Sequence, residues 1–102
     1  MMAQLEFYID DDGNHCARGD DERLATYLQT DIQGSTAIAE ELIARLKDPE
    51  FTGDFNGNGH CVDFRDNSVL IEAMHDDAPD RVLSRADMLA QVQAWLRFIA
   101  KP

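Results

Sequence analysis

Histidine and cysteine stand side by side twice in the chain, as His15-Cys16 and His60-Cys61. These side chain types bind zinc, and a cysteine beside a histidine can act as a nucleophile. Neighbours on a strand point to opposite faces, so each pair is expected to supply one ligand where a structural zinc site needs four. A reactive thiolate also needs electropositive surroundings, which a formal net charge of −11 does not favour. We therefore interpret both cysteines as reduced, small apolar or half-exposed side chains, and we expect no metal and no cofactor.

A second motif, Asp54-x-Asn56-x-Asn58-Gly59, matches the opening half of an EF-hand calcium loop. In such a loop these positions supply oxygen ligands, and a bidentate glutamate closes the site at the twelfth position. Here the twelfth position is Arg65, and the flanking residues have the pattern of strands rather than helices. The motif is therefore interpreted as an Asn/Gly-rich hairpin turn.

Acidic residues are the most abundant chemical feature, with 20 Asp and Glu against 9 Lys and Arg. No two of them stand out as an acid/base pair, and the chain has no phosphate-binding glycine loop, so we predict that it is not an enzyme. A surface this negative repels nucleic acids and anionic membranes and attracts basic proteins. The alternative is that the acidity only maintains solubility. The acids gather in predicted loops, and those predicted to contact a basic partner are Asp10, Asp11, Asp12, Asp20, Asp21, Asp76, Asp77 and Asp80.

The elements that must position these residues follow from the spacing of apolar side chains. Period-two alternation predicts strands, helical spacing predicts helices, and 102 residues predict one domain, 1–102. The predicted strands are Gln4–Ile9, His15–Arg18, Phe51–Phe55, Cys61–Arg65 and Ser68–Met74, and the predicted helices begin near Asp20, Ser35 and Ser84. The order β-β-α-α-β-β-β-α predicts an α+β fold with a mainly antiparallel sheet of four to five strands and helices packed on one face. Residues 75–81 are polar and are expected to form a loop.

Two stretches resemble known bacterial families. The run from Asn58 to Asp66, followed by Ser68–Ala73, resembles the central hairpin of YacL-like bacterial proteins, and Leu83–Ile99 resembles their C-terminal helix. The latter is similar also to small immunity proteins of contact-dependent growth inhibition systems. This second resemblance implies a protein that binds the toxic C-terminal domain of a cognate toxin, often a nuclease, and blocks its active site. No catalytic residues carry over from either family.

Charge and resemblance together predict an immunity protein or antitoxin that neutralises a basic toxin domain. The alternative is a YacL-like housekeeping or regulatory protein without catalytic activity, which could form a homodimer through a sheet edge. The first residues show no basic stretch leading into an apolar run, and no apolar run approaches the length of a membrane span. We therefore expect a cytoplasmic protein.

Overall fold

Two antiparallel sheets and three α-helices make up the computed structural model, which describes residues 4–75, 77 and 79–101. Asp76 lies outside these described residues. A π-helical segment, Leu28–Ile32, directly continues the first helix. The elements in chain order are β1 (Leu5–Ile9), β2 (His15–Gly19), α1 (Glu22–Tyr27), α2 (Thr36–Lys47), β3 (Asp54–Asn56), β4 (His60–Phe64), β5 (Ser68–Ala73), β6 (Arg81–Ser84) and α3 (Arg85–Ile99). The predicted α+β class and the mainly antiparallel layout are confirmed.

The strands divide between a hairpin of β1 and β2 and a four-stranded sheet in the order β3-β4-β5-β6. The hairpin turns where Asp-Gly predicted it, with Gly13 at φ 83°. The hairpin does not extend the larger sheet, and its side chain Phe7 packs against α3. The ring of Phe7 lies 5.1 Å from that of Trp95 and 5.6 Å from that of Phe98.

Strand β6 was not predicted, because residues 75–81 are polar and only Val82 and Leu83 carry strand-forming side chains. Its pairing with β5 sets Arg81 opposite Ile71 and Ser84 opposite Ser68. A four-residue strand is too short for a period-two pattern to stand out. Tertiary pairing with β5, rather than local propensity, therefore defines this element.

The helices begin at side-chain caps, as their sequences indicate. The backbone N–H of Ile38 donates to the Ser35 hydroxyl at 3.2 Å, and that of Asp87 donates to the Ser84 hydroxyl at 3.0 Å. Each cap satisfies one amide that the first turn of a helix leaves free. Within residues 4–75, 77 and 79–101, no helix has the length and apolar character needed to cross a membrane.

One apolar core joins α2 and α3 to the inner face of the four-stranded sheet and to the hairpin. Its largest fully buried side chains are Leu24, Tyr27, Leu28, Ile32, Leu42, Val62, Phe64, Val69, Ile71, Met88, Val92 and Trp95. At the edge of this core, the buried guanidinium of Arg85 donates to the carbonyls of Arg65, Asp48 and Phe51. It thereby ties the start of α3 to the end of α2 and to the β4–β5 turn.

Candidate functional site

The four-stranded sheet has one buried and one open face, because its side chains alternate. His60, Val62 and Phe64 of β4 point into the core, whereas Cys61 and Asp63 point the other way. We call the second side the outer face. None of its side chains is buried, and it consists of Asp54, Asn56, Cys61, Asp63, Ser68, Leu70, Glu72, Val82 and Ser84.

Three carboxylates of the outer face surround one thiol. In the strand register Asp54 lies opposite Asp63, and Cys61 lies opposite Glu72. Burial raises the pKa of the Cys61 thiol, and the nearby negative charges of Asp54, Glu72 and Asp63 raise it further. Cys61 is therefore held as a neutral thiol, which disfavours a nucleophilic role.

The pairing of Asp54 with Asp63 is electrostatically unfavourable. Gly53 and Gly57 exchange backbone hydrogen bonds with β4, so Asp54 belongs to a non-hydrogen-bonded pair, the type in which opposing side chains lie closest. Like charges directly opposite each other destabilise a sheet. Arg65 donates to Asp63 at 3.2 Å and relieves part of this repulsion, while Asp54 has no ion-pair partner in the described part of the chain. The outer face thus concentrates negative charge that a cation would stabilise.

Apolar side chains continue the outer face toward β6. Leu70 lies opposite Val82, and Val82 is 54% exposed. The open sheet face therefore combines the acidic side chains of β3 and β4 with an apolar pair on β5 and β6. Sequence reasoning missed this surface, although the alternation in β4 and β5 together with the Asn/Gly turn contained the signal.

The predicted acidic contact residues at the hairpin tip do not all face solvent freely. The carboxylate of Asp10 accepts the backbone N–H groups of Asp12 and Asn14, each at 2.9 Å, within the turn. The hydrogen bond from Asn14 contributes most to lowering the pKa of Asp10 below its ordinary value. Asp11 and Asp12 are exposed beside it.

The second predicted cluster lies at the opposite end of the hairpin, because Asp20 follows Gly19, which pairs with Leu5. A five-residue strand therefore separates the two clusters by roughly 17 Å. Asp20 accepts the backbone N–H of Gln4 at 2.8 Å and remains exposed.

Asp21 is not available for contact with a partner. It is only 7% exposed, caps α1 through the N–H of Leu24 at 3.1 Å, and binds Arg81 at 2.8 Å. Its carboxylate is thus used within the fold. Asp77 and Asp80 are exposed.

A buried network that sequence reasoning also missed joins the π-helical segment to the β3–β4 turn. The carboxylate of Asp31 accepts from the His60 ring Nδ1 and the His60 backbone N–H, both at 2.9 Å, and from the Gly59 N–H at 3.2 Å. The hydroxyl of Thr30 donates to it at 2.7 Å. The only sequence signal is an acid between the buried residues Leu28 and Ile32.

The other ring nitrogen of His60, Nε2, lies 2.9 Å from Arg23 Nη1. Arginine is always a donor, so Nε2 accepts and His60 is neutral, with its proton on Nδ1 facing Asp31. Both ring nitrogens are therefore engaged, and the network holds the turn in place rather than presenting a free base.

The two His-Cys pairs do not come together. The thiol of Cys16 lies 3.6 Å from the carboxylate of Asp10. Burial is the largest cause that raises the pKa of Cys16, and the negative charge of Asp10 raises it further. No group of three or more His, Cys, Asp or Glu side chains in the described ranges is placed to hold a metal ion. In the EF-hand-like motif, Asn58 instead donates to the Thr30 carbonyl at 3.1 Å.

A cleft of about 510 Å³ lies between α2 and the free edge of β3, and we call it the α2–β3 cleft. Its wall includes Tyr27, Glu41, Arg45, Asp54 and Asn56. Glu41 and Arg45 form an ion pair at 3.0 Å across one turn of α2. Since Asp54 and Asn56 belong to both surfaces, the cleft adjoins the outer face.

No family model, no curated protein and no solved structure matches this chain.

Proposed function

We propose that this protein is an immunity protein, a cytoplasmic one-to-one inhibitor that binds a basic toxin domain through its outer face. The class of toxin that suits this surface is a nuclease, as in contact-dependent growth inhibition systems. The observation that carries the proposal is the open sheet face on which Asp54, Asp63 and Glu72 surround Cys61 beside an apolar half.

The chemistry of a nuclease groove supports this choice of partner. Such a groove presents Lys and Arg side chains to phosphates, and a cluster of carboxylates can occupy the positions of those phosphates. A basic partner would also remove the repulsion between Asp54 and Asp63. Leu70 and Val82 would add apolar burial next to the charged contacts, as in the centre of most stable interfaces.

The exposed loop acids have a different part in this proposal. Asp11, Asp12, Asp20, Asp77 and Asp80 are exposed, belong to loops rather than to the strands of the outer face, and add to the net charge of −11. Charges outside the contact surface attract a basic partner and raise the association rate, an effect that salt screens. They are therefore expected to affect the association rate more than the lifetime of the complex.

The test uses the C-terminal domain of a toxin encoded next to the gene of this protein, which we call the candidate toxin domain; an isolated gene would favour the YacL-like alternative. Wild-type protein should inhibit its nuclease activity at a one-to-one ratio, with an association rate that falls as salt rises. The variant Asp54→Asn/Asp63→Asn/Glu72→Gln should dissociate at least about a hundredfold faster, because lost charged contacts act mainly on dissociation.

The loop variant Asp11→Asn/Asp12→Asn/Asp20→Asn also removes three negative charges and is the matched control. It should slow association and leave the dissociation rate within about threefold of the wild type. Inhibition that survives full neutralisation of the outer face would reject that surface as the binding site. Absence of any binding, together with a homodimer, would instead favour the YacL-like alternative.

A further inference from the structure

We propose that the α2–β3 cleft takes the guanidinium group of one arginine from the partner and so anchors the partner beside the outer face. This inference rests on the proposed function, because it names the side chain that the neighbouring site receives. Three independent features of the cleft support it: the free edge of β3, the charge of its wall, and a buried hydroxyl without a partner.

The free edge of β3 supplies backbone acceptors. Gly53 and Gly57 bond to β4 on one side of the strand. Because hydrogen bonding alternates along an antiparallel ladder, Asp54 and Asn56 direct their backbone groups to the other side, where β3 has no neighbouring strand. Their carbonyl oxygens therefore line the cleft at strand spacing.

The charge of the wall favours a cation. Arg45 is paired with Glu41 and lies over the rings of Phe51 and Phe55, with its guanidinium carbon 5.5 and 5.3 Å from their centroids. These contacts neutralise and fix the only positive charge in the described wall of the cleft. The carboxylate of Asp54 remains without an ion pair among the described residues, so the wall carries unbalanced negative charge.

Tyr27 supplies an unused hydrogen-bonding group. Its side chain forms part of the cleft wall, and its hydroxyl is buried without a hydrogen-bond partner within the described part of the chain. Burial, with the negative charge of Asp31, raises the pKa of Tyr27, so the group stays a neutral hydroxyl. A neutral hydroxyl can accept one N–H from a ligand.

Arginine fits this set of acceptors better than lysine. A guanidinium carries five N–H donors in a plane, whereas an ammonium is a compact point charge with three. The residues that carry these acceptors, Tyr27, Asp54 and Asn56, all line one cleft. A planar group with donors in several directions can bond to more of them at once.

The test is a titration of the whole protein with Nα-acetyl-arginine methylamide, followed by backbone amide NMR. The citrulline analogue has the same shape without the charge and is the matched ligand control. The arginine probe should shift the amides of Asp54 and Asn56, with affinity at least about tenfold above that of the citrulline probe. Glu41→Gln and Tyr27→Phe should each weaken binding by about tenfold, whereas Glu40→Gln, beside Glu41 but outside the cleft wall, should not.

Equal shifts with both probes, or unchanged affinity in both Glu41→Gln and Tyr27→Phe, would overturn the inference. The spectrum of each variant shows directly that it is folded. The outer-face variant is compared with the two cleft variants, Glu41→Gln and Tyr27→Phe, for binding to the candidate toxin domain. If only the outer-face variant fails to bind and both cleft variants keep wild-type affinity, the proposed function stands and the arginine anchor is wrong. If the arginine probe binds as expected but no toxin domain does, the cleft assignment stands and the proposed function is wrong.

Discussion

The variant Asp31→Ala should destabilise the fold severely, because it removes the centre of the buried network. The Asp31 carboxylate accepts from the ring and the backbone of His60, from the backbone of Gly59 and from Thr30. Its side chain is 1% exposed and that of His60 is 5% exposed, so the imidazole donor of His60 is shielded from bulk water. Each buried donor left unpaired costs about 1–3 kcal/mol, and Asp31→Ala leaves both the ring N–H and the backbone N–H of His60 without their acceptor.

From these two unpaired donors we expect a loss of about 4 kcal/mol, a large part of the roughly 5–15 kcal/mol that stabilises a domain of this kind. With a urea dependence of about 2 kcal/mol per molar, the midpoint of unfolding should fall by about 2 M. Trp95 is the single tryptophan and is fully buried, so its fluorescence reports the transition directly. The exposed control Glu40→Ala should remain within about 0.5 kcal/mol of the wild type.

A double-mutant cycle separates the network from simple loss of packing. Asp31→Ala combined with His60→Ala should cost less than the sum of the single variants by about 1–3 kcal/mol, because the second change removes donors that the first left unpaired. If Asp31→Ala lowers stability by less than about 1 kcal/mol, or the two changes are additive, the account of the network is refuted.

Three further predictions concern single groups. Glu72→Gln should accelerate alkylation of Cys61 in a Cys16→Ser background, because removal of a nearby negative charge lowers the pKa of the Cys61 thiol. Mass spectrometry measures the alkylation rate across pH 7–9. An unchanged rate would show that Glu72 does not affect this thiol. Asp10→Asn should be less stable than the wild type at neutral pH, because a carboxylate whose pKa is lowered by folding stabilises the folded state. This stabilisation is complete above the ordinary pKa of 3.8 and is lost as the pH falls through the lowered pKa, so the difference between variant and wild type should vanish in acid. A difference in the free energy of unfolding that persists in acid would contradict this. Arg85→Met should lower the free energy of unfolding by about 3 kcal/mol, because three carbonyl oxygens lose a charged donor. A loss below about 1 kcal/mol, measured by urea titration, would show that these carbonyl oxygens find other hydrogen-bond donors.

Local signals predicted most of the elements because their causes are local. The Asp-Gly turn, the Ser35 and Ser84 caps and the apolar stripe of α3 each depend on residues within a few positions of one another. The antiparallel meander after α2 was predicted for the same reason. Strand β6 was missed because it exists only through its pairing with β5.

The site residues were harder to predict because their neighbours lie far apart in the sequence. Asp31 and His60 are separated by 29 positions and meet only when the π-helical segment packs on the β3–β4 turn. The grouping of Asp54, Asp63 and Glu72 around Cys61 depends on strand register, and a shift of one residue would move these side chains to the opposite face. The loop acids were predicted to contact a partner from their charge alone. One of them, Asp21, is instead buried and forms an ion pair with Arg81, a residue 60 positions away that the local sequence cannot indicate.

Alkylation of the two cysteines in the complex tests the central claim most directly, since Cys61 lies on the outer face and Cys16 contacts Asp10 at the hairpin. We expect saturating candidate toxin domain to protect Cys61 strongly and to leave the rate at Cys16 unchanged. Mass spectrometry of the labelled protein measures both rates in one sample, with the other thiol as internal control. A complex in which Cys61 reacts as fast as in the free protein would contradict binding through the outer face, and protection of Cys16 alone would place the partner on the hairpin instead.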